Sequence, residues 1–137
     1  MAAILKHPDH SLKTFMRRTV AAQLHLVGSL LAIAGLVVLI SHSLEVEDRI
    51  HVWACLVFSA TSILVFAVST IYHFVSDGYR VSKRLESRLE DLDHISIYLF
   101  IAGTYTPFIL NVISPTWNAR LLILIWSIAI AGISYTL

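Results

Sequence analysis

Four long apolar runs decide what this chain of 137 residues can fold into. The first, VAAQLHLVGSLLAIAGLVVLI, extends from about Val20 to Ile40 without a charged residue. The second covers about 51–72, the third about 94–113 and the fourth about 119–137. A helical run of about twenty apolar residues crosses about 30 Å of hydrocarbon. One water-soluble core of a chain this short cannot hide four such runs, so they are read as membrane spans. They are continuously apolar rather than alternating in segments of about ten residues, which predicts helices and not lipid-facing barrel strands. The predicted fold is all-α, a polytopic transmembrane helical bundle. Composition agrees, with 57% hydrophobic and 14% charged residues and a mean hydropathy of +0.76.

The few charges set the orientation. Lys6, Lys13, Arg17 and Arg18 precede the first span, and Arg80, Lys83, Arg84 and Arg88 lie between the second and third, whereas the other two loops hold Arg49 and Arg120. Cytoplasmic loops carry the excess of Lys and Arg. The expectation is a multi-pass protein of the cell membrane, with a cytoplasmic segment over 1–19 and a transmembrane domain over 20–137. The first run is too long for a signal-peptide core and no A-x-A cleavage site with a soluble domain follows it, so it is taken as retained. A net charge of +1 offers no basic field for nucleic acid. The single cysteine, Cys55, lies inside the second span; it excludes an internal disulfide and any CxxC motif, and reads as a small packing residue.

Gly28, Ser29, Ala32, Ala34 and Gly35 cluster in the first span, where small residues let helices approach closely. Such faces serve packing within a chain or between chains, so a homo-oligomer is left open. Pro107 removes a backbone donor inside the third span, which predicts a kink with Thr104 or Thr106 satisfying the freed carbonyl. Trp117 beside Pro115 reads as an anchor at the headgroup level.

Chemistry concentrates where the second span ends and the third begins. STIYH places Ser69 and His73 four residues apart, on one helical face. Asp93 and His94 open the third span on the same side of the membrane. A loop of about twenty residues between antiparallel helices would bring His73 and Asp93 to one depth, with Ser69 one turn deeper. Ionisable residues at such positions are costly and tend to face protein or water. Each has a plainer reading too: His73 as a headgroup-level histidine, Asp93 as the N-cap of the third helix. Together they suit zinc, which takes imidazole as ligand and uses a carboxylate or hydroxyl to hold its water.

At these residues the chain resembles the hemolysin III family, the bacterial branch of the progestin and adipoQ receptor superfamily. STIYHF and LDHISIYLFIAGTYTPFIL are similar to the family's motifs at the end of the second span and through the third. LHLVG, with His25, matches its weaker motif in the first span. Alkaline ceramidases share a broader pattern of S-x-x-x-H, Asp and H-x-x-x-H, of which Ser69, His73 and Asp93 would be the first three elements; the LDH context favours Asp93 over Asp91.

The resemblance implies a seven-helix protein, of which four spans are seen here, with zinc near the cytoplasmic leaflet held by one histidine of the second span and two of the seventh. It implies that His73 is a metal ligand, that Asp93 orients or deprotonates a zinc-bound water, and that Ser69 supports it by hydrogen bonding. The substrate would be an amide or ester of a membrane lipid, in hydrolysis or lipid homeostasis. His94 falls outside the ligand pattern and reads as structural. No histidine follows His94, so the final H-x-x-x-H is missing, and Arg17 and Arg18 stand where an acidic residue is often expected. The apolar ending at SYTL reads as a truncation.

The family's name supplies an alternative, a membrane-permeabilising cytolysin or channel, although no span carries a continuous polar stripe to line a pore. A dimeric four-helix transporter would want an acidic residue inside a span, and the first, second and fourth spans contain none.

Overall fold

The computed structural model describes residues 8–45, 48–78 and 81–137, with side chains from residue 20 onward apart from 77 and 78. Lys6 and Arg80 lie outside the described residues, as do the side chains of Lys13, Arg17 and Arg18. Four helices account for nearly everything described: α1 (Pro8–Glu45), α2 (Arg49–Gly78), α3 (Lys83–Val112) and α4 (Pro115–Thr136). Each contains a segment long and apolar enough to cross a membrane.

The helices tolerate their hydroxyl residues by a common device. Ser29, Ser43, Ser62, Thr70 and Ser134 each donate to the carbonyl one turn earlier, at 2.6 to 3.0 Å. A polar group is thereby satisfied inside its own helix without help from lipid.

Helix boundaries depart from the apolar runs in one place that matters. α3 begins at Lys83, about three turns before the third apolar run, and Ser82 is its N-cap, accepting from the Leu85 amide at 3.3 Å. Asp93 is therefore an interior residue of α3 and not its cap. The segment KRLESRLEDL is rich in strong helix formers, so the backbone stays helical past the edge of the apolar stretch. Glu86 in the first turn favours the same start through the helix dipole. α2 likewise runs on to Gly78, so the expected twenty-residue loop is mostly helix on both sides of a short connection. At the other end, Asp48 accepts from the Ile50 amide at 2.9 Å at the start of α2. Ser114 and Pro115 start α4, with Arg120 over the exposed ring of Trp117 at 5.2 Å.

Packing is strictly sequential. Among the described residues α1 packs on α2, α2 on α3 and α3 on α4, and no other pair of helices meets, so the four form an open row rather than a closed bundle. One glycine marks each interface. A Cβ at Gly28 would lie 2.6 Å from the Phe66 ring, one at Gly103 would overlap the Thr61 side chain, and one at Gly132 would press on the Tyr98 ring. The other small residues of the first span are used unevenly: Ser29 is buried, but Ala34 is exposed and Gly35 has open space beside it.

The α3–α4 contact adds one polar tie, Trp126 Nε1 donating to Thr106 Oγ1 at 3.2 Å. The hydroxyls of Thr104 and Thr106 donate to the carbonyls of Ile101 and Ala102, at 2.8 Å each, and not to that of Gly103, which Pro107 deprives of its donor.

Candidate functional site

The α2–α3 hairpin fixes the site. Ser69 is 5% exposed and faces α3. Its hydroxyl does not bond its own helix, as those of Ser62 and Thr70 do; it donates across the interface to Oδ1 of Asp93. The contact gives the half-buried carboxylate a donor inside the protein. Next to it on α3, Ser96 is buried and donates to the Asp93 backbone carbonyl at 2.7 Å.

Helix-hairpin register explains this pairing. Ser69, not His73, is level with Asp93, and His73 lies one turn closer to the α2–α3 connection. This corrects the expected order of depth. It follows from the helical extension of both elements, α2 on to Gly78 and α3 back to Lys83, which sets the positions that face each other.

His73 is on the same face of α2 as Ser69 but meets the other neighbour. Its ring lies parallel to that of His25 of α1, with centroids 5.3 Å apart and planes 3° from parallel. Tyr72 closes on it at 5.1 Å. His25 in turn has Phe66 at 6.2 Å. One face of α2 thus joins an α1 imidazole, an α2 imidazole, an α2 hydroxyl and an α3 carboxylate within about a turn. Of the two aspartates considered, Asp93 receives the hydroxyl. His94 is exposed.

Zinc accepts nitrogen and oxygen donors, so the types present suit it, but a complete centre takes three or four protein ligands. Among the described residues no three His, Cys, Asp or Glu side chains gather closely enough to hold a metal ion. His73 and Asp93 are thus suited in kind to part of a zinc centre, and do not form one by themselves.

The sequence pairs Ser69, His73 and Asp93 through their motif and span-end positions, whereas His25 stands out in it only as part of LHLVG. LHLVG was the available signal; which helix face it occupies became visible only with the α1–α2 register. A second polar group, His51, Cys55 and Asn111 at the opposite end of the hairpin, was also missed. Its signal was His51 and Cys55 one helical turn apart in the same run.

These features define a polytopic helical membrane protein with a hydroxyl, carboxylate and imidazole cluster toward one end of its spans. A family model described as Haemolysin-III related matches residues 13–137, and the chain belongs to that family. It is 34% identical over 111 residues to a protein named Hemolysin-3 homolog from Bacillus subtilis (strain 168), covering 81% of this chain and 50% of that one. It is 34% identical over 122 residues to Hemolysin-3 of Bacillus cereus, covering 88% of this chain and 53% of the relative. The chain spans about half the length of the curated relatives it matches. No solved structure matches it significantly.

Proposed function

We propose that the chain carries part of a zinc-dependent hydrolytic site acting on an amide or ester bond of a membrane lipid, at the cytoplasmic edge of the bilayer. The observation that carries this reading is the bond from the Ser69 hydroxyl to Asp93, one turn from His73 on the same helix face. A hydroxyl that leaves its own backbone to hold a carboxylate of the next helix positions that carboxylate. In this reading His73 is a metal ligand, and further histidines of a later span, as the family resemblance implies, complete the set. Bound there, zinc would supply a water acidified to a pKa of about 7. Asp93 would accept a proton from the attacking water, and Ser69 keeps the carboxylate oriented. The neighbouring apolar helix surfaces hold the acyl chains of a lipid beside these groups. Exposed Lys83, Arg84 and Arg88 flank this end, which supports its cytoplasmic placement in the cell membrane.

The alternative, permeabilisation of the bilayer, is separated from hydrolysis by one paired assay. The full-length gene product is reconstituted in dye-loaded vesicles of bacterial lipid, and fatty-acid release and dye release are followed together. The expected result is fatty-acid release that a zinc chelator stops and that His73→Ala and Asp93→Asn abolish. Dye release that survives both substitutions, without fatty-acid release, overturns the proposal in favour of a cytolysin or channel.

A further inference from the structure

Ser59 breaks the rule that other hydroxyls of α2 follow. Thr61, Ser62 and Thr70 each donate to a carbonyl one turn earlier in their own helix, at 2.7 to 2.9 Å. The Ser59 hydroxyl, in a side chain 2% exposed, has no hydrogen-bond partner among the described residues. A buried hydroxyl left unpaired is costly where neither water nor lipid replaces the bond. Ser59 lines a cleft of about 360 Å³ between α1 and α2, to which α3 adds Phe100.

The two sides of the cleft differ. On the α1 side Gly28, Ala32 and Gly35 contribute little side chain, and a Cβ at Gly35 would meet nothing within 4 Å. The other side is aromatic, with Phe58 and Phe66 of α2 and Phe100 of α3; the Phe66 and Phe100 rings lie 6.3 Å apart, tilted by 56°. Small apolar ligands occupy such linings, where aromatic walls surround a single polar group that fixes orientation. Phenyl rings favour a flat conjugated ring over a plain chain, because ring-on-ring contacts add to area burial. Volume excludes a helix as the occupant. A helix with its side chains is about 10 Å across, and alongside α1 from Gly28 to Leu39 it would fill on the order of 1,000 Å³.

Depth selects the occupant's polar group. Ser59 lies two to three residues from the middle of the apolar run 51–72, about 4 Å along the helix axis. In hydrocarbon about 30 Å thick, phospholipid ester groups lie about 15 Å from the midplane, out of reach of Ser59. The acyl chain of such a lipid brings no acceptor to the hydroxyl. A ring carbonyl on a wholly apolar tail has no charged headgroup to hold it at the surface, so it can enter to this depth.

We propose that this cleft binds an isoprenoid quinone of the membrane. The ring sits among Phe58, Phe66 and Phe100, one ring carbonyl accepts from Ser59 Oγ, and the tail runs along Leu36 and Leu39 of α1. Phe66 also has the His25 ring at 6.2 Å, but Ser69, His73 and Asp93 do not line the cleft. The proposal therefore does not depend on the hydrolytic reading.

The test uses the full-length gene product in phosphatidylcholine nanodiscs, loaded with a naphthoquinone that bears a short isoprenoid tail. Quinone retained beyond that held by empty nanodiscs is extracted and quantified, and infrared difference spectra follow its carbonyl stretches. The expected result is one quinone per protein, with one of its two carbonyl bands moved to lower frequency. Ser59→Ala abolishes that shift and weakens binding by about two- to tenfold, the worth of one hydrogen bond. Gly35→Leu fills the open space and abolishes retention, while thermal unfolding shows the variant folded. A zinc chelator changes neither readout. Absence of retention by the folded wild-type protein, as when a later span covers the cleft, overturns the proposal. So does wild-type retention in folded Gly35→Leu, or a pair of carbonyl bands that does not shift. Displacement of the quinone by an equal concentration of squalene overturns it too, since the cleft would then seat any hydrocarbon.

Discussion

Ser69 donates its hydroxyl to Asp93 across the α2–α3 interface, while Ser62 and Thr70 on the same helix bond backward to their own backbone. Hydrogen bonds to charged groups contribute more than neutral ones, and bonds between helices in membranes are of modest net strength. A double-mutant cycle of Ser69→Ala and Asp93→Ala, read by unfolding of the protein in detergent, is expected to give a coupling energy of about 1–2 kcal/mol. Additive single effects would mean that the two side chains act independently.

The glycines make a sharper packing prediction. Gly103→Ala places a methyl group on the Thr61 side chain at the α2–α3 interface and is expected to destabilise the protein by about 1–3 kcal/mol. Gly35→Ala meets open space, so the higher helix propensity of alanine is expected to stabilise by up to about 1 kcal/mol. Thermal unfolding of the two variants side by side checks the contrast. Equal effects would contradict the α2–α3 approach.

Ser59 is 2% exposed and its hydroxyl has no hydrogen-bond partner among the described residues. Burying an unpaired hydroxyl costs about 1–3 kcal/mol in proteins, so Ser59→Ala is expected to raise stability, by about 1 kcal/mol after the lost packing of one atom. A lower melting temperature for Ser59→Ala would show that the hydroxyl is satisfied in the membrane.

The spans were legible because lipid leaves little choice: each of the four apolar runs had to cross as a helix, and each forms one. The α2–α3 hairpin was less legible. Its charged segment from Phe74 to Asp93 has no apolar continuity to mark it as helix, so the sequence predicts a third helix that starts beside Asp93, whereas it starts at Lys83. The consequence reached the site, because moving the turn of the hairpin changed the residue level with Asp93 from His73 to Ser69.

Residue identity pointed to Ser69, His73 and Asp93 through their motif and their place at span ends. Partners that lie far apart in sequence on neighbouring helices were not legible. His25 is far from His73 in sequence, and Asn111 is 60 residues from His51. Both contacts depend on helix rotation and register, which a continuously apolar sequence specifies weakly, since lipid accepts any apolar face.

In the proposed site His73 is a ligand of a nitrogen and oxygen zinc centre near Asp93. Zinc K-edge X-ray absorption of the zinc-loaded full-length gene product in nanodiscs tests it most directly. The expected spectrum has a first shell of nitrogen and oxygen only, with imidazole outer-shell scattering that weakens in His73→Ala. A spectrum unchanged by His73→Ala, or one dominated by sulfur and lost in Cys55→Ser, would contradict it.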